Sequence, residues 1–214
     1  MENQRAVVLL SGGLDSAIAV AYLQTRNYEI AGSVFVNRGQ SNYKKELTAA
    51  VAVAELLKIP IYISKFSIPD LDTLVTEEAR KKFGIPARNL IMGTLALPYI
   101  QALNCDHLVL GNIASDIFPD SNLAFREKFS SVVSHVLDRQ IKVTAPLADW
   151  ENWDKTGEIL FASKNNLEIL FSLTWTCWGG GKFPCRKCKA CLGRKEGFAK
   201  ADLADPTIYE GAHS

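Results

Sequence analysis

The apolar positions of this chain fall into two registers: short unbroken runs, and longer stretches spaced by three and four. Ala6 to Leu10 (AVVLL) is wholly apolar, the pattern of a strand covered on both faces. It is followed by a helical pattern from Ala17 to Gln24. Glu29 to Val36 (EIAGSVFV) predicts a second buried strand and Asn37 to Gln40 a turn. Tyr43 to Leu57 predicts a helix, with Leu47, Ala50, Val51, Ala54 and Leu57 on one stripe. Pro60 to Phe66 predicts a third strand, and the more polar residues 67–85 an exposed connection with a short helix. Pro86 and Asn89 mark the start and cap of an apolar helix from Leu90 to Leu103. Further along, Asp106 to Gly111 predicts a fourth strand, 113–120 a loop, Phe125 to Leu137 a helix and Val143 to Leu147 a fifth strand. Helices are predicted again over Lys155 to Lys164 and Cys191 to Ala201.

Strands alternating with helices predict an α/β chain with a Rossmann-like parallel sheet, helices on both faces and right-handed crossovers. Ligands in such sheets lie beyond the carboxyl ends of the strands. Ser11-Gly12-Gly13-Leu14-Asp15-Ser16 falls there, between the first strand and the first helix. Paired glycines allow positive φ and close approach to a ligand. Ser11 and Ser16 add hydroxyls, and successive N–H groups can form a concavity for phosphate. Gly and Ser are common in ordinary βα loops too; the SGGxDS pattern in this setting is what points to function. It matches neither the Walker pattern nor G-x-G-x-x-G. Asp15 beside phosphates is rationalised by a Mg²⁺ contact or by a role at the helix start.

Length and composition narrow the class. The 214 residues are 48% hydrophobic and 22% charged, enough for one sizeable core with an appendage. The expected division is 1–172 for an α/β domain and 173–214 for a small C-terminal element. A net charge of +1 gives no field for broad nucleic-acid binding. No apolar run reaches membrane-spanning length, and the N-terminal apolar stretch runs straight into the glycine loop rather than reading as a signal peptide. A cytoplasmic protein is expected. Four of the five cysteines, Cys177, Cys185, Cys188 and Cys191, are spaced C-x(7)-C-x(2)-C-x(2)-C. Four thiolates without histidine or carboxylate suit a structural, tetrahedral Zn²⁺ site, with an iron–sulfur cluster as the competitor. Cys105 reads as a small hydrophobe at a helix end; His107 and His135 read as structural or solvent-facing, and His213 as tail.

SGGLDS resembles the pyrophosphate loop of the ATP pyrophosphatases, enzymes of the adenine nucleotide alpha hydrolase-like fold that cleave ATP between its α and β phosphates and adenylylate a substrate. The resemblance implies that Leu10 to Ser16, with Gln40 and Gly111, bind ATP, and that Ser11, Gly12, Gly13 and Ser16 hold the leaving pyrophosphate. In order along the chain, SGGLDS, RGQ with KKELTAA, PARN, DKTGEI, LTWTCW and CxxCxxC closed by LGRKEGF resemble 7-cyano-7-deazaguanine synthases over about residues 5–209. That family adenylylates the carboxylate of 7-carboxy-7-deazaguanine, adds ammonia, and with a second ATP dehydrates the amide to a nitrile. Activation makes physical sense, because a carboxylate has oxide as its leaving group until it becomes a mixed anhydride with AMP. Positioning and neutralisation of phosphate charge supply most of such catalysis.

Carried over by position, the resemblance implies Ser11, Asp15, Ser16, Arg88 (PARN) and Lys155 (DKTGEI) as the catalytic set. The two cations face the phosphates or the acyl-adenylate, with a surface charge as the alternative for each. It places Asn112, Asp116 and Asp120 on the substrate loop. Asp120 could accept from the paired donors of a deazaguanine, although FPD is also good turn chemistry. Trp175 or Trp178 could stack on a purine or pack on the zinc loop. Two departures stand out: Asn37-Arg38-Gly39-Gln40 replaces the family's DYGQ, and SDIFPDSNLAFREKF replaces a longer loop. The acceptor is therefore ammonia or, in a diverged member of the kind found in bacterial defence gene sets, an amine of a protein or nucleic acid. A tRNA thiolase would need a catalytic cysteine outside the metal site, where only Cys105 stands; a nucleotide-binding scaffold would not need an intact SGGLDS. The family also implies a homodimer.

Overall fold

The computed structural model describes residues 4–67 and 87–211. Five parallel strands, β1 (Arg5–Leu9), β2 (Glu29–Asn37), β3 (Ile61–Lys65), β4 (His107–Val109) and β5 (Lys142–Thr144), form one sheet in the order β3-β2-β1-β4-β5. The order reverses at β1, which pairs with β2 on one side and β4 on the other. That reversal opens a crevice at the carboxyl ends of β1 and β4.

The described helices are α1 (Leu14–Thr25), α2 (Tyr43–Leu56), α3 (Arg88–Ala102), α4 (Leu123–Val136), the single turn α5 (Pro146–Asp149), α6 (Lys155–Lys164), α7 (Ile169–Leu173) and α8 (Lys189–Lys200). They cover both faces, which is why β1 is apolar at every position. Ala6, Val8 and Leu10 point into one cluster with α1, α2, α6, α7 and Phe198 of α8. Val7 and Leu9 point into the other, with Ala96 and Ile100 of α3 and Phe129 and Val133 of α4. Most of α1 is buried, from Ser16 through Leu23, so it carries no polar stripe.

The predicted elements hold, with three corrections. Asn89 does not cap α3: the helix starts at Arg88 after Ala87, which has φ 55°, and Asn89 is buried within its first turn. The fifth strand is short, and Pro146 begins α5 instead, so Leu147 is helical. The fourth strand likewise covers only His107–Val109. The predicted connection over 67–85, apart from residue 67, lies outside the described residues, as do Pro86 and His213. Cys105 is fully buried, His107 is buried edge-on to Tyr28, and His135 is exposed.

The C-terminal segment is tied to the sheet layers by a buried arginine. Arg194 of α8 donates to the Phe171 carbonyl at 2.6 Å, to Asp205 at 3.1 Å and to the hydroxyl of Thr174 at 3.2 Å. Asp205 also accepts from the Tyr209 hydroxyl at 2.7 Å. No described helix is long and apolar enough to cross a membrane.

Candidate active site at the β1–β4 crevice

The glycine loop is held from three sides. Gly12 has φ +81°, and a Cβ there would lie 2.2 Å from the Glu46 carbonyl oxygen of α2. Gly111, just past β4, would bring a Cβ within 2.7 Å of the Ser16 backbone. Both positions require glycine for the loop to sit between α2 and the end of β4. Within the loop, Ser11 N–H donates to Ser16 Oγ at 3.2 Å, Gly13 N–H to Ser11 Oγ at 3.3 Å, and Ser16 Oγ to the Gly13 carbonyl at 3.1 Å. The two hydroxyls lie 3.1 Å apart. Gly13 caps α1 without a side-chain bond, so the helix presents its positive end to the loop. Leu10 and Leu14 are buried and offer only backbone there.

Lys155 enters this site because Asp154 caps α6, accepting from the N–H groups of Thr156 and Gly157 at 2.9 and 3.1 Å. The cap sets Lys155 at the first helical position, where its Nζ ion-pairs with Asp15 and lies 2.7 Å from Glu158 Oε1. Gly197 of α8 backs the lysine stem; a Cβ there would lie 2.5 Å from Lys155 Cγ. Burial works against the charge of Asp15, but the charge of Lys155 together with hydrogen bonds from Glu158 and Lys155 outweighs it and holds the carboxyl below its ordinary range. Burial also disfavours the ammonium of Lys155, yet Asp15 and Glu158 together raise it. Glu158 is fully buried, and burial plus the charge of Asp15 pushes it well above the carboxylate range. Burial thus favours the neutral form of Glu158 behind the Lys155–Asp15 pair.

Asp116 faces the same crevice, accepting from Asn112 Nδ2 at 2.9 Å and from Ile113 N–H at 3.3 Å. Burial raises its pKa; the Asn112 bond opposes this, while the charge of Asp15 adds to it. Asn112 keeps a buried Oδ1 without a partner. Asp120 lies at the start of α3 instead, where its Oδ2 accepts from Asn89 N–H at 2.6 Å. Gln40 lies beyond β2: its Oε1 accepts from Arg38 N–H at 2.9 Å and its Nε2 donates to Glu46 at 2.7 Å. Arg88 stacks over Phe118. The predicted site residues thus form a crevice group around the loop, Lys155, Gly111, Asn112 and Asp116, and an outer group of Gln40, Arg88 and Asp120.

Cys177, Cys185, Cys188 and Cys191 converge with their sulfurs all within 4.8 Å of one another. Backbone N–H groups of Gly179 and Cys185 donate to Cys177 Sγ at 3.2 and 3.3 Å, and Cys188 N–H to Cys185 Sγ at 3.3 Å. Backbone N–H donation from Lys187, and then from Cys188, brings the Cys185 thiol down to about 7. The donor set suits a metal. The cysteine segment also touches the loop: Trp175 N–H donates to the Gly12 carbonyl at 2.9 Å, and Asn42 Nδ2 to the Cys177 carbonyl at 3.0 Å. Trp175 packs with the cysteines, its Nε1 buried without a partner, while Trp178 is exposed. Sequence reasoning missed Glu158, Arg38 and Asn42. Only Glu158 left a trace, as an acid three residues after Lys155 on the same helix face.

Two solved structures share the fold. A predicted tRNA methyltransferase subunit from Methanocaldococcus jannaschii matches with TM-score 0.53 at 18% identity, covering 75% of this chain and 76% of that one. The U34-tRNA thiolase NcsA from Methanococcus maripaludis, described with its [4Fe-4S] cluster, matches with TM-score 0.54 at 19% identity, over 94% of this chain and 66% of that one. Among curated relatives, a 7-cyano-7-deazaguanine synthase of Caldicellulosiruptor saccharolyticus is 31% identical over 96% of both chains. That of Methanobrevibacter smithii is 28% identical over 98% of this chain and 99% of its own. The family model for the queuosine biosynthesis protein QueC matches residues 5–202, and with relatives of this similarity the chain belongs to the QueC family.

Proposed function

We propose that this protein uses ATP to adenylylate the carboxylate of 7-carboxy-7-deazaguanine, with ammonia then attacking the acyl-adenylate on the way to the nitrile. The observation that carries this reading is the SGGLDS loop wedged at the sheet's reversal point beside the paired Lys155. The loop N–H groups and the hydroxyls of Ser11 and Ser16 would turn from each other to the departing pyrophosphate. Lys155 would neutralise phosphate charge from where Asp15 and Glu158 hold it, and Asp15 is the acidic group available to a Mg²⁺ that accompanies ATP. Asn112, with its unpartnered Oδ1, and Asp116 would meet the substrate from the β4 side.

We assign zinc to the four cysteines. Thiolates about 2.3 Å from one ion lie about 3.8 Å apart, a spacing that sulfurs within 4.8 Å of one another can adopt. A cluster of several metals would hold them wider. The ion fixes the chain that supports the glycine loop. A cytoplasmic homodimer belongs to the same proposal.

A larger amine, on a protein or nucleic acid, is the second reading. Ile117 favours it: it is 80% exposed on the loop that follows β4, an apolar contact for something larger than ammonia. The experiment is pyrophosphate release from ATP with 7-carboxy-7-deazaguanine, with mass spectrometry of the products with and without ammonium. Nitrile at good turnover supports the first reading. Acyl-adenylate or amide alone directs the search to another acceptor, and no pyrophosphate rejects activation of this acid.

A further inference from the structure

The near-zero net charge conceals an uneven distribution. From Cys177 to Lys195 the chain holds six of its 24 cations, Lys182, Arg186, Lys187, Lys189, Arg194 and Lys195, and none of its 23 acids. That stretch carries +6, and the remaining 18 cations and 23 acids leave the rest of the chain at −5. Arg194 is buried and paired with Asp205. Lys182, Arg186, Lys187 and Lys189 are exposed, and Lys195 is half-buried. A divalent ion on the four thiolates would carry −2, held among sulfurs that face one another and backbone N–H groups. The exposed cations exceed it.

Convergence of the cysteines gathers these cations. Cys185 N–H donates to Cys177 Sγ at 3.3 Å, which sets Trp178 and Arg186 each one residue from that contact. Cys188 N–H donates to Cys185 Sγ at 3.3 Å, closing a turn that carries Arg186 and Lys187, and Lys189 follows as the first residue of α8. Gly180 packs on Ser41, where a Cβ would lie 2.4 Å from the carbonyl oxygen, so Lys44 and Lys45 at the start of α2 flank the same element. Glu196 pairs with Lys200 at 2.8 Å and Asp205 holds Arg194, so those acids answer cations outside the exposed group. Glu210, whose N–H donates to the Pro184 carbonyl at 2.9 Å, is an acid that the C-terminal segment does bring against the element. Trp178, beside these cations, is 54% exposed.

Charge alone would suit any polyanion, an acidic peptide included. The exposed indole discriminates. Its face is negative and repels a carboxylate, whereas an unpaired base stacks on it while the adjoining phosphates meet the cations. Bases paired in a duplex keep their faces to one another and cannot use it. We infer that the cysteine element is a docking surface for single-stranded nucleic acid, the phosphates lying on Lys182, Arg186, Lys187 and Lys189 and a base on Trp178. Such a patch acts at short range and is screened by salt, so it needs no field from the chain as a whole. The inference goes beyond acid activation and does not rest on it, because docking needs neither ATP nor the acid.

The test is fluorescence anisotropy of a labelled oligouridylate of about 15 nucleotides, titrated with the metal-loaded full chain over a range of salt. The same strand in a duplex and a polyglutamate of similar length are run beside it. The single strand should bind tightest, with log K falling against log salt at a slope of about −3 for four phosphate contacts. Trp178→Ala should weaken it roughly five- to a hundredfold. Arg186→Gln combined with Lys187→Gln should flatten the slope by about 1.4. Lys128→Gln, on α4 at the opposite face of the sheet, should leave binding nearly unchanged. Melting temperature and metal content verify each variant. If Trp178→Ala does not fold, the quench of tryptophan emission on binding, lost in Trp178→Phe, reads the same contact. No binding at low salt overturns the proposal. So does polyglutamate bound as tightly with Trp178→Ala without effect, which would make this a surface for an acidic protein. A preference for the duplex, or an equal loss in Lys128→Gln, overturns it as well. ATP and the acid are absent throughout, so pyrophosphate release can fail in its own assay without altering this result.

Discussion

Glu158→Gln tests the charge arrangement behind Lys155. Glu158 is fully buried, and burial plus the neighbouring Asp15 raises its pKa well above the ordinary 4.5. An acid whose folded pKa is raised contributes stability below its unfolded value and loses it as pH rises towards the folded value. Folding therefore takes up a proton above about pH 4.5, at a cost of about 1.4 kcal/mol per pH unit until the folded pKa is reached. Asp15 shifts the opposite way, so its contribution is lost only as pH falls below about 3.8, outside this window. Glutamine reproduces the protonated acid: its Oε1 can accept from Lys155 Nζ, which now lies 2.7 Å from Glu158 Oε1, and its N–H can donate to Asp15. It carries no titration. Urea denaturation midpoints at a series of pH values read the difference. The variant should match the parent near pH 5 and exceed it by roughly 1–3 kcal/mol near pH 7. Parallel curves, or a variant less stable at pH 7, would mean that Glu158 is ionised and pairs with Lys155, and the arrangement would be wrong.

Three further outcomes follow from the same geometry. Gly12→Ala forces a Cβ to within 2.2 Å of the Glu46 carbonyl at φ +81°; left-handed strain and overpacking together should cost about 2–5 kcal/mol, seen as a lower melting temperature and lost pyrophosphate release. Stripping the cysteine site with a chelator should free Trp175 N–H from the Gly12 carbonyl, weakening ATP binding roughly tenfold for one lost contact of about 1.4 kcal/mol; hydrogen exchange over residues 11–13 and elemental analysis verify loop and metal together. Asp120→Asn can still accept from Asn89 N–H, so stability should move by no more than about 0.5 kcal/mol. If Asp120 also reads the donor edge of a deazaguanine, acid affinity should fall at least roughly tenfold, by calorimetry.

What could be read from the chain was local. SGGLDS announces itself because a strand, a tight turn and a helix start fit within a few residues, and the closely spaced cysteines converge for the same reason. Asn89 departs from the capping expectation because its side chain meets Asp120, 31 positions away, rather than its own helix end. Val143 to Leu147 reads as one strand because the residue before a proline is kept out of the helical region in either case, and only the helical turn from Pro146 tells them apart. Arg38 and Arg88 come together across β2 and α3, and Arg194 finds Phe171 and Asp205 across three segments. No spacing rule encodes those meetings.

The cysteine segment shows how a local motif acquires its purpose from non-local contacts. Alone, C-x(7)-C-x(2)-C-x(2)-C says only that a metal could fix the chain there. In the fold, the residues leading into it supply the N–H that the Gly12 carbonyl accepts, and a Cβ at Gly180 would lie 2.4 Å from the Ser41 carbonyl oxygen, one residue before Asn42. Asn42 in turn spans Glu46 and Cys177, at 2.8 and 3.0 Å. Glu46 is both the backbone against which Gly12 is wedged and the carboxylate that faces Arg38. A disturbance at the cysteines therefore reaches the glycine loop and the arginine pair through the first turns of α2, without touching the sheet. Loss of the metal should for that reason impair ATP binding through the glycine loop without unfolding the sheet.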